Sequence, residues 1–238
     1  MSMKSPLDRY TLQARLLPMF ILLLPIGLVL LVWYPATSVW VGALEALGVP
    51  MVLTALLSQL GRDLGKKKEP ALFASWDGMP TDRILSYAKG FLDRATAARY
   101  RTKLAQLLPP VHFLDETQEQ DAPSSAVEVF RTCTNFLREK TRDQAKFPLI
   151  FAENINYGFR RNLWAMRPAG VVLSALAVAG SVSPLLFVPA TPVSAVLVVA
   201  VCVNVCLFVF WVFRINRHWV RMAAEEYARQ LFAACEVL

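Results

Sequence analysis

Histidine is nearly absent from the chain: His112 and His218 are the only two among 238 residues. Neither belongs to an H-E-x-x-H pair or stands beside a serine or cysteine elbow, so the usual hydrolytic arrangements have no place to form. Cysteine is scarce as well. Cys133, Cys202, Cys206 and Cys235 show no C-x-x-C and no Cys/His ligand spacing, which predicts four free thiols and no metal. Asp115 and Glu116 adjoin His112, but a metal site needs more convergent ligands than these, and a solvated acidic loop is expected there. The one glycine-lysine run, "GRDLGKKK", fails as a phosphate loop. Gly61 and Gly65 are one residue too close together, and Lys67 stands where a magnesium-binding hydroxyl belongs. No catalytic group and no cofactor are expected.

Charge is missing in blocks. None occurs between Arg15 and Glu45, and none in the 46 residues between Arg167 and Arg214. The chain is 55% hydrophobic with a mean hydropathy of +0.41, too apolar for an ordinary soluble domain. A spanning helix takes about 20 apolar residues, so each block holds two. The expected spans are 16–34 and 39–60, joined by "PATS", then 169–188 and 193–213, joined by "PATP". Arg9, Arg15, Arg62, Lys66 to Lys68, Arg160, Arg161, Arg167, Arg214, Arg217 and Arg221 all flank the same ends of these spans. The positive-inside rule makes that side cytoplasmic, with both termini there, and the inner membrane of a bacterium as the expected site. "GRDLGKKKEP" then reads first as a juxtamembrane stop. The fold class is therefore an all-α integral membrane protein, two transmembrane hairpins flanking a small helical cytosolic domain at 61–168, with a C-terminal helix at 214–238 continuing the fourth span.

The cytosolic region carries 18 Lys and Arg against 13 Asp and Glu, a net charge of +5. "MPTDRILSYAKGFLDRATAARYRTKLAQLLPP" reads as one helix, capped by Thr81 and stopped by Pro109 and Pro110. "VHFLDETQEQDAP" reads as an acidic loop. Ser125-x-x-Glu128 reads as the capping box of a helix to about Lys146, with Phe130, Cys133, Phe136 and Leu137 on its apolar face. Val220, Ala224, Tyr227, Leu231 and Ala234 form a short seam on the last helix, expected to pack onto its own domain because a coiled coil needs three or four heptads.

Two basic groups are candidate ligand contacts. On a continuous helix Arg83, Arg94 and Arg101 fall on one stripe with Tyr87 beside it. Such a row suits phosphates in a line, and the tyrosine suits a stacked base; a solvated face is the plainer reading. In "NINYGFRRNLWAMR", Arg160 and Arg161 stand among rings just before the third span. They are either interfacial anchors or a second anion contact. Within the spans, Phe208 and Trp211 crowd the inner half of the fourth and would narrow a pore. Glu45 in the second span and Asn204 in the fourth are the polar groups, Asn204 being suited to an interhelical hydrogen bond. The small residues of the third span, Gly170 to Ser183, favour close helix packing.

This layout resembles the small membrane effectors of bacterial anti-phage defence, Hailong-type DNA-controlled channels being the nearest case. The resemblance is one of plan across the whole chain. It implies a homo-oligomeric channel whose state is set by a nucleotide or single-stranded DNA or RNA oligonucleotide made by a partner nucleotidyltransferase. The other expectation is a non-conducting, membrane-anchored adaptor that binds a partner protein or anionic lipid.

Overall fold

The computed structural model describes residues 9–34, 49–89, 91–187 and 193–238, with backbone alone at 49–55 and 58. All regular structure among these residues is helical. A π-helical turn, Thr11–Leu16, leads into α1 (Leu17–Trp33). There follow α2 (Val49–Ser75), α3 (Arg94–Leu107), α4 (Glu116–Asp121), α5 (Pro123–Lys140), α6 (Pro148–Phe187), α7 (Ala195–Val209) and α8 (Arg217–Ala233). Three stretches are long and apolar enough to cross a membrane: Thr11–Trp33, a part of Pro148–Phe187, and Ala195–Arg214. Much of expected span 39–60, with Glu45 and both Pro-containing turns, lies outside the described residues. The described part of that span belongs to α2, which runs on through the lysines to Ser75.

The chain forms two compact units. One, here the apolar unit, comprises Met1–Glu69 and Gly158–Val220; the other, the polar unit, comprises Pro70–Tyr157 and Arg221–Leu238.

In the apolar unit, glycines set how closely helices approach. A side chain at Gly61 would meet the Arg15 carbonyl at 3.1 Å and Met19 at 3.3 Å, and one at Gly65 would overlap the Asn162 amide. The two glycines of the "GRDLGKKK" run are therefore helix contacts. On α6 the buried small residues Gly170, Ser174, Ala177 and Ser181 recur at spacings of 4, 3 and 4, the stripe that faces one neighbour on a helix. Trp211 lies on Gly170, and Asn204 Nδ2 donates to Ser181 Oγ at 3.0 Å. Asn204 thus makes the expected interhelical bond. At the end of α7 the backbone passes into a π-helical turn, Phe210–Arg214, and becomes extended at Ile215. The last helix is not a continuation of the fourth span. Arg167 donates to the carbonyls of Trp211 (3.2 Å) and Val212 (2.8 Å), and Asn216 Oδ1 accepts from the Trp219 amide (2.9 Å), so the old helix ends and α8 begins.

The polar unit packs α3, α5 and α8 around Leu104, Phe130, Cys133, Leu137, Leu231 and Phe232, with Ile84 and Leu85 beneath. The buried face of α5 is the one its apolar spacing predicts. The seam residues Val220, Ala224, Leu231 and Ala234 are buried within this one chain. Several boundaries differ from expectation. The single helix from Thr81 does not form: Pro80–Asp82 is a 3-10 turn, and α3 starts only at Arg94, where Asp93 Oδ1 accepts from the Thr96 amide at 2.9 Å. The acidic loop contains α4, closed by a capping box of Asp115 and Gln118. Helix α5 begins at Pro123 without a side-chain cap and ends at Lys140, short of Lys146.

Burial pushes the Cys133 thiol up to about 12 and the Cys235 thiol up to about 11, from 9.0. Both thiols will resist a maleimide at pH 7.5 in the folded chain and react once it is denatured, which mass spectrometry will read. Their linkage has a definite sign. The unfolded thiols ionise first, so this stabilising contribution is full below pH 9 and falls as pH rises towards 11 to 12. Cys133→Ala will flatten that alkaline loss.

Candidate functional site

The predicted arginine stripe does not exist as a row. Arg83 belongs to the turn before α3, while Arg94 and Arg101 are on α3. Arg94 is exposed and ion-pairs with Glu116 at 2.9 Å, and one terminal nitrogen of Arg83 donates to the Trp76 carbonyl. Arg101 is 5% exposed. Its Nε and one terminal nitrogen donate to the Leu85 carbonyl, at 2.8 and 2.6 Å, and the other donates to Leu114 O at 2.8 Å. It also pairs with buried Glu119. The Tyr87 ring lies 3.7 Å from the Arg101 guanidinium and 5.1 Å from that of Arg94. Arg101 and Tyr87 therefore join the loop, α3 and α4 to one another, and Arg101 is withdrawn as a phosphate contact.

Arg160 and Arg161 are likewise engaged. Arg160 donates to the Trp219 carbonyl at 3.0 Å and lies 5.0 Å from its ring. Arg161 pairs with Glu69 at 3.0 Å and reaches Asn162, whose Nδ2 donates to the Ala14 carbonyl at 2.7 Å. Both side chains anchor one part of the apolar unit to another. In the span, Trp211 is fully buried on Gly170 and does not line a pore; Asn204 is fully buried too, and Phe208 is half-buried.

The polar unit does hold a cavity, of about 340 Å³, beneath Asp77, Asp82, Arg83, Lys89, Glu119 and Arg131. Helix α5 supplies its apolar wall through Pro123, Ala126, Val127 and Phe130, and the 76–89 segment its polar wall. That segment is shaped by the end of α2. Asp77 and Gly78 take positive φ (60° and 106°), and the Gly78 amide returns to the Phe73 carbonyl at 2.9 Å. Glycine supplies the second of these conformations without strain. Lys89 pairs with Asp77 across the rim, which holds the Asp77 carboxyl below the usual carboxylate range.

Asp82 is 5% exposed. Its Oδ2 accepts from Arg131 Nε at 3.0 Å and a terminal nitrogen at 2.9 Å, whereas its Oδ1 has no protein partner. Arg83 Nε, Thr81 Oγ1 and Trp76 Nε1 are also buried without one. Four such atoms within eight residues are unusual, because a buried polar atom without a partner costs about 1–3 kcal/mol. The cavity sets charged side chains of both signs beside an apolar wall. Three cations offset three carboxylates around it, so it suits a neutral, flat group with its own donor and acceptor, as a nucleobase has. Only Arg83 of the predicted contacts lines this cavity; Asp82, Glu119 and Arg131 were not anticipated. Their signal in the sequence, isolated charges in amphipathic segments, is indistinguishable from a solvated face.

Among the described residues no group of three or more His, Cys, Asp or Glu is placed to hold a metal ion. Comparison with protein-family models, curated proteins and solved structures finds no match to this chain.

Proposed function

We propose that the protein is a homo-oligomeric membrane channel, in a bacterial inner membrane with both termini cytoplasmic, whose opening is set by a nucleotide or short oligonucleotide bound to the polar unit. The observation that carries the ligand is the polar-unit cavity, where three cations and three carboxylates surround an apolar wall supplied by α5. A base would lie against that apolar wall, with its phosphate towards the cations of the rim. One helix, α6, supplies Ile150 to the core of the polar unit and also includes a stretch long and apolar enough to cross a membrane. The second hairpin helix, 39–60, completes four spans in this reading, and a nucleotidyltransferase would supply the ligand in an anti-phage role. Phe208, half-buried four residues beyond Asn204, is the ring left to narrow the pore.

The test combines binding with conductance. A single-stranded DNA oligomer or a nucleoside monophosphate will bind the detergent-purified chain, and Val127→Trp, which fills the cavity from α5, will weaken binding at least tenfold. In planar bilayers the wild-type current will change on adding that ligand, while the Val127→Trp current will not; Phe208→Ala will raise unit conductance. No current under any ligand, with a folded protein, sinks the channel reading. The adaptor reading has its own support: Asn204 and Trp211 are enclosed within the protomer, and the exposed large side chains of α1 and α7 are apolar. It requires a partner that copurifies and no conductance.

A further inference from the structure

We propose that the apolar unit carries a binding site for the headgroup of an anionic phospholipid, in the cleft lined by Lys68, Trp164, Arg167, Pro168, Asn216 and Arg217. The cleft has a volume of about 510 Å³ and is separate from the polar-unit cavity. This inference does not rest on the channel reading.

The lining sequence contains three cations and no carboxylate. That distinguishes it from several other basic groups among the described residues, which face acids: Arg94 meets Glu116, Arg99 meets Glu236, Arg161 meets Glu69 and Arg221 meets Glu225. Two of the three cations here are held by carbonyls. Lys68 Nζ donates to the Ala165 carbonyl at 2.8 Å, which uses one of its three protons. Arg167 reaches the Trp211 and Val212 carbonyls through Nε and one terminal nitrogen, leaving its other terminal nitrogen for a ligand. Arg217 is exposed, with its guanidinium 6.0 Å from the Trp164 ring and no ion pair. Carbonyls fix Lys68 and Arg167 without neutralising them. The result is a net charge of +3 in a cleft, which would attract the single negative charge of a phosphate diester and hold it through charge-assisted hydrogen bonds.

Position selects the lipid over a free anion. Arg167 is the last charge on Pro148–Phe187 before the uncharged run to Arg214, and Arg217 follows by three residues the end of Ala195–Arg214, so the cleft lies at one end of two candidate spans. The Trp164 ring and the 72%-exposed Phe213 side chain lie in the same boundary region, where aromatic groups meet the glycerol and upper acyl level of a bilayer. Basic clefts between helices on the cytoplasmic side are suited to such headgroups, each cation contributing about fivefold in affinity.

The experiment uses the full chain in detergent, titrated with dioleoyl phosphatidylglycerol or dioleoyl phosphatidylcholine and read by thermal unfolding. Phosphatidylglycerol is expected to raise the melting temperature saturably and phosphatidylcholine is not. Arg217→Gln, an exposed side chain whose loss leaves the carbonyl contacts intact, should raise the half-saturating phosphatidylglycerol concentration about fivefold, and Lys68→Gln with Arg217→Gln about 25-fold. Lys66→Gln with Lys67→Gln, on the same helix outside the cleft, should leave it within twofold. Equal response to the two lipids overturns the proposal. So does an equal loss from the Lys66 and Lys67 pair, which would mean diffuse attraction to the charged boundary. Saturation of the effect by inorganic phosphate or glycerol 3-phosphate at the same concentrations overturns it too, by assigning the cleft to a free anion. Channel activity enters none of these readings, so failure here and failure of the ligand-gated channel are separable.

Discussion

Gly170→Ala will destabilise the apolar unit by about 3 kcal/mol, at the upper end of what overpacking costs. A methyl group at this position would overlap three atoms of the Trp211 ring. The ring cannot step aside, because it is fully buried and packs in one cluster with Leu163, Met166, Ile215 and Trp219. Either α6 and α7 separate, which also strains the Asn204–Ser181 bond seven residues earlier on α7, or the tryptophan leaves its site. Gly27 is the control. Nothing lies within 4 Å of a side chain there, so Gly27→Ala should be neutral or stabilising by about 0.5–1 kcal/mol through helix propensity. Thermal unfolding in detergent, followed by tryptophan fluorescence, compares the two. Trp211→Leu will be destabilised alone, but combined with Gly170→Ala it will lose much less than the sum, because the smaller side chain gives the methyl group room. Wild-type stability for Gly170→Ala would mean that α6 and α7 do not approach at this residue.

How far the sequence carries the fold is clear from such contacts. The long uncharged blocks made three spans legible, because hydropathy over about 20 residues is a one-dimensional quantity. The apolar face of α5 was legible for a similar reason: Phe130, Cys133 and Leu137 recur at helical spacing. Helix ends were less so. Thr81 and Ser125 had the chemistry of caps, yet Asp93 and Asp115 perform that role, since the choice among nearby caps depends on tertiary packing. The break at Ile215 was invisible, because the agent that ends the helix is Arg167, 44 residues away from Trp211. The candidate sites show the same limit. Positive charge could be counted from the sequence, but whether a guanidinium meets water, a carbonyl or a carboxylate depends on residues distant in the chain. Arg83 reached a cavity; Arg101, Arg160 and Arg161 are held by internal partners, and Arg94 forms an exposed ion pair with Glu116. The cleft around Lys68 and Arg217 joins positions about 150 residues apart, and no local pattern announces it.

Arg101 separates a structural charge from a ligand-binding one most sharply. Arg101→Met will destabilise the polar unit by about 3–5 kcal/mol, the cost of leaving a buried charge without its partner. Side-chain exposure is 6% for Arg101 and 2% for Glu119, so water cannot replace the guanidinium. The substitution also strips the Leu85 and Leu114 carbonyls of their donors, and those bonds hold the 84–87 segment against α3. Glu119→Gln will cost less, since its one amide oxygen can still accept from Arg101, although the amide nitrogen no longer accepts from Ser86 and Arg101 loses its counter-charge. Replacing both, Arg101→Met with Glu119→Leu, should recover part of the loss, because two apolar groups need no partners; the Leu85 and Leu114 carbonyls remain the residual cost. Limited proteolysis of the 76–93 segment, with denaturant unfolding, reads the series. A phosphate-binding arginine gives the opposite pattern: ligand affinity would fall while protease resistance and unfolding midpoint stayed at wild-type values. That outcome would return Arg101 to the ligand and overturn its role as the post that joins the loop, α3 and α4. In the structural reading the ligand-free protein is already damaged, and affinity falls only as far as the folded fraction does. The distinction also protects the cavity assignment, since Glu119 lines it: a binding loss in Arg101→Met counts against the cavity only if the polar unit remains folded.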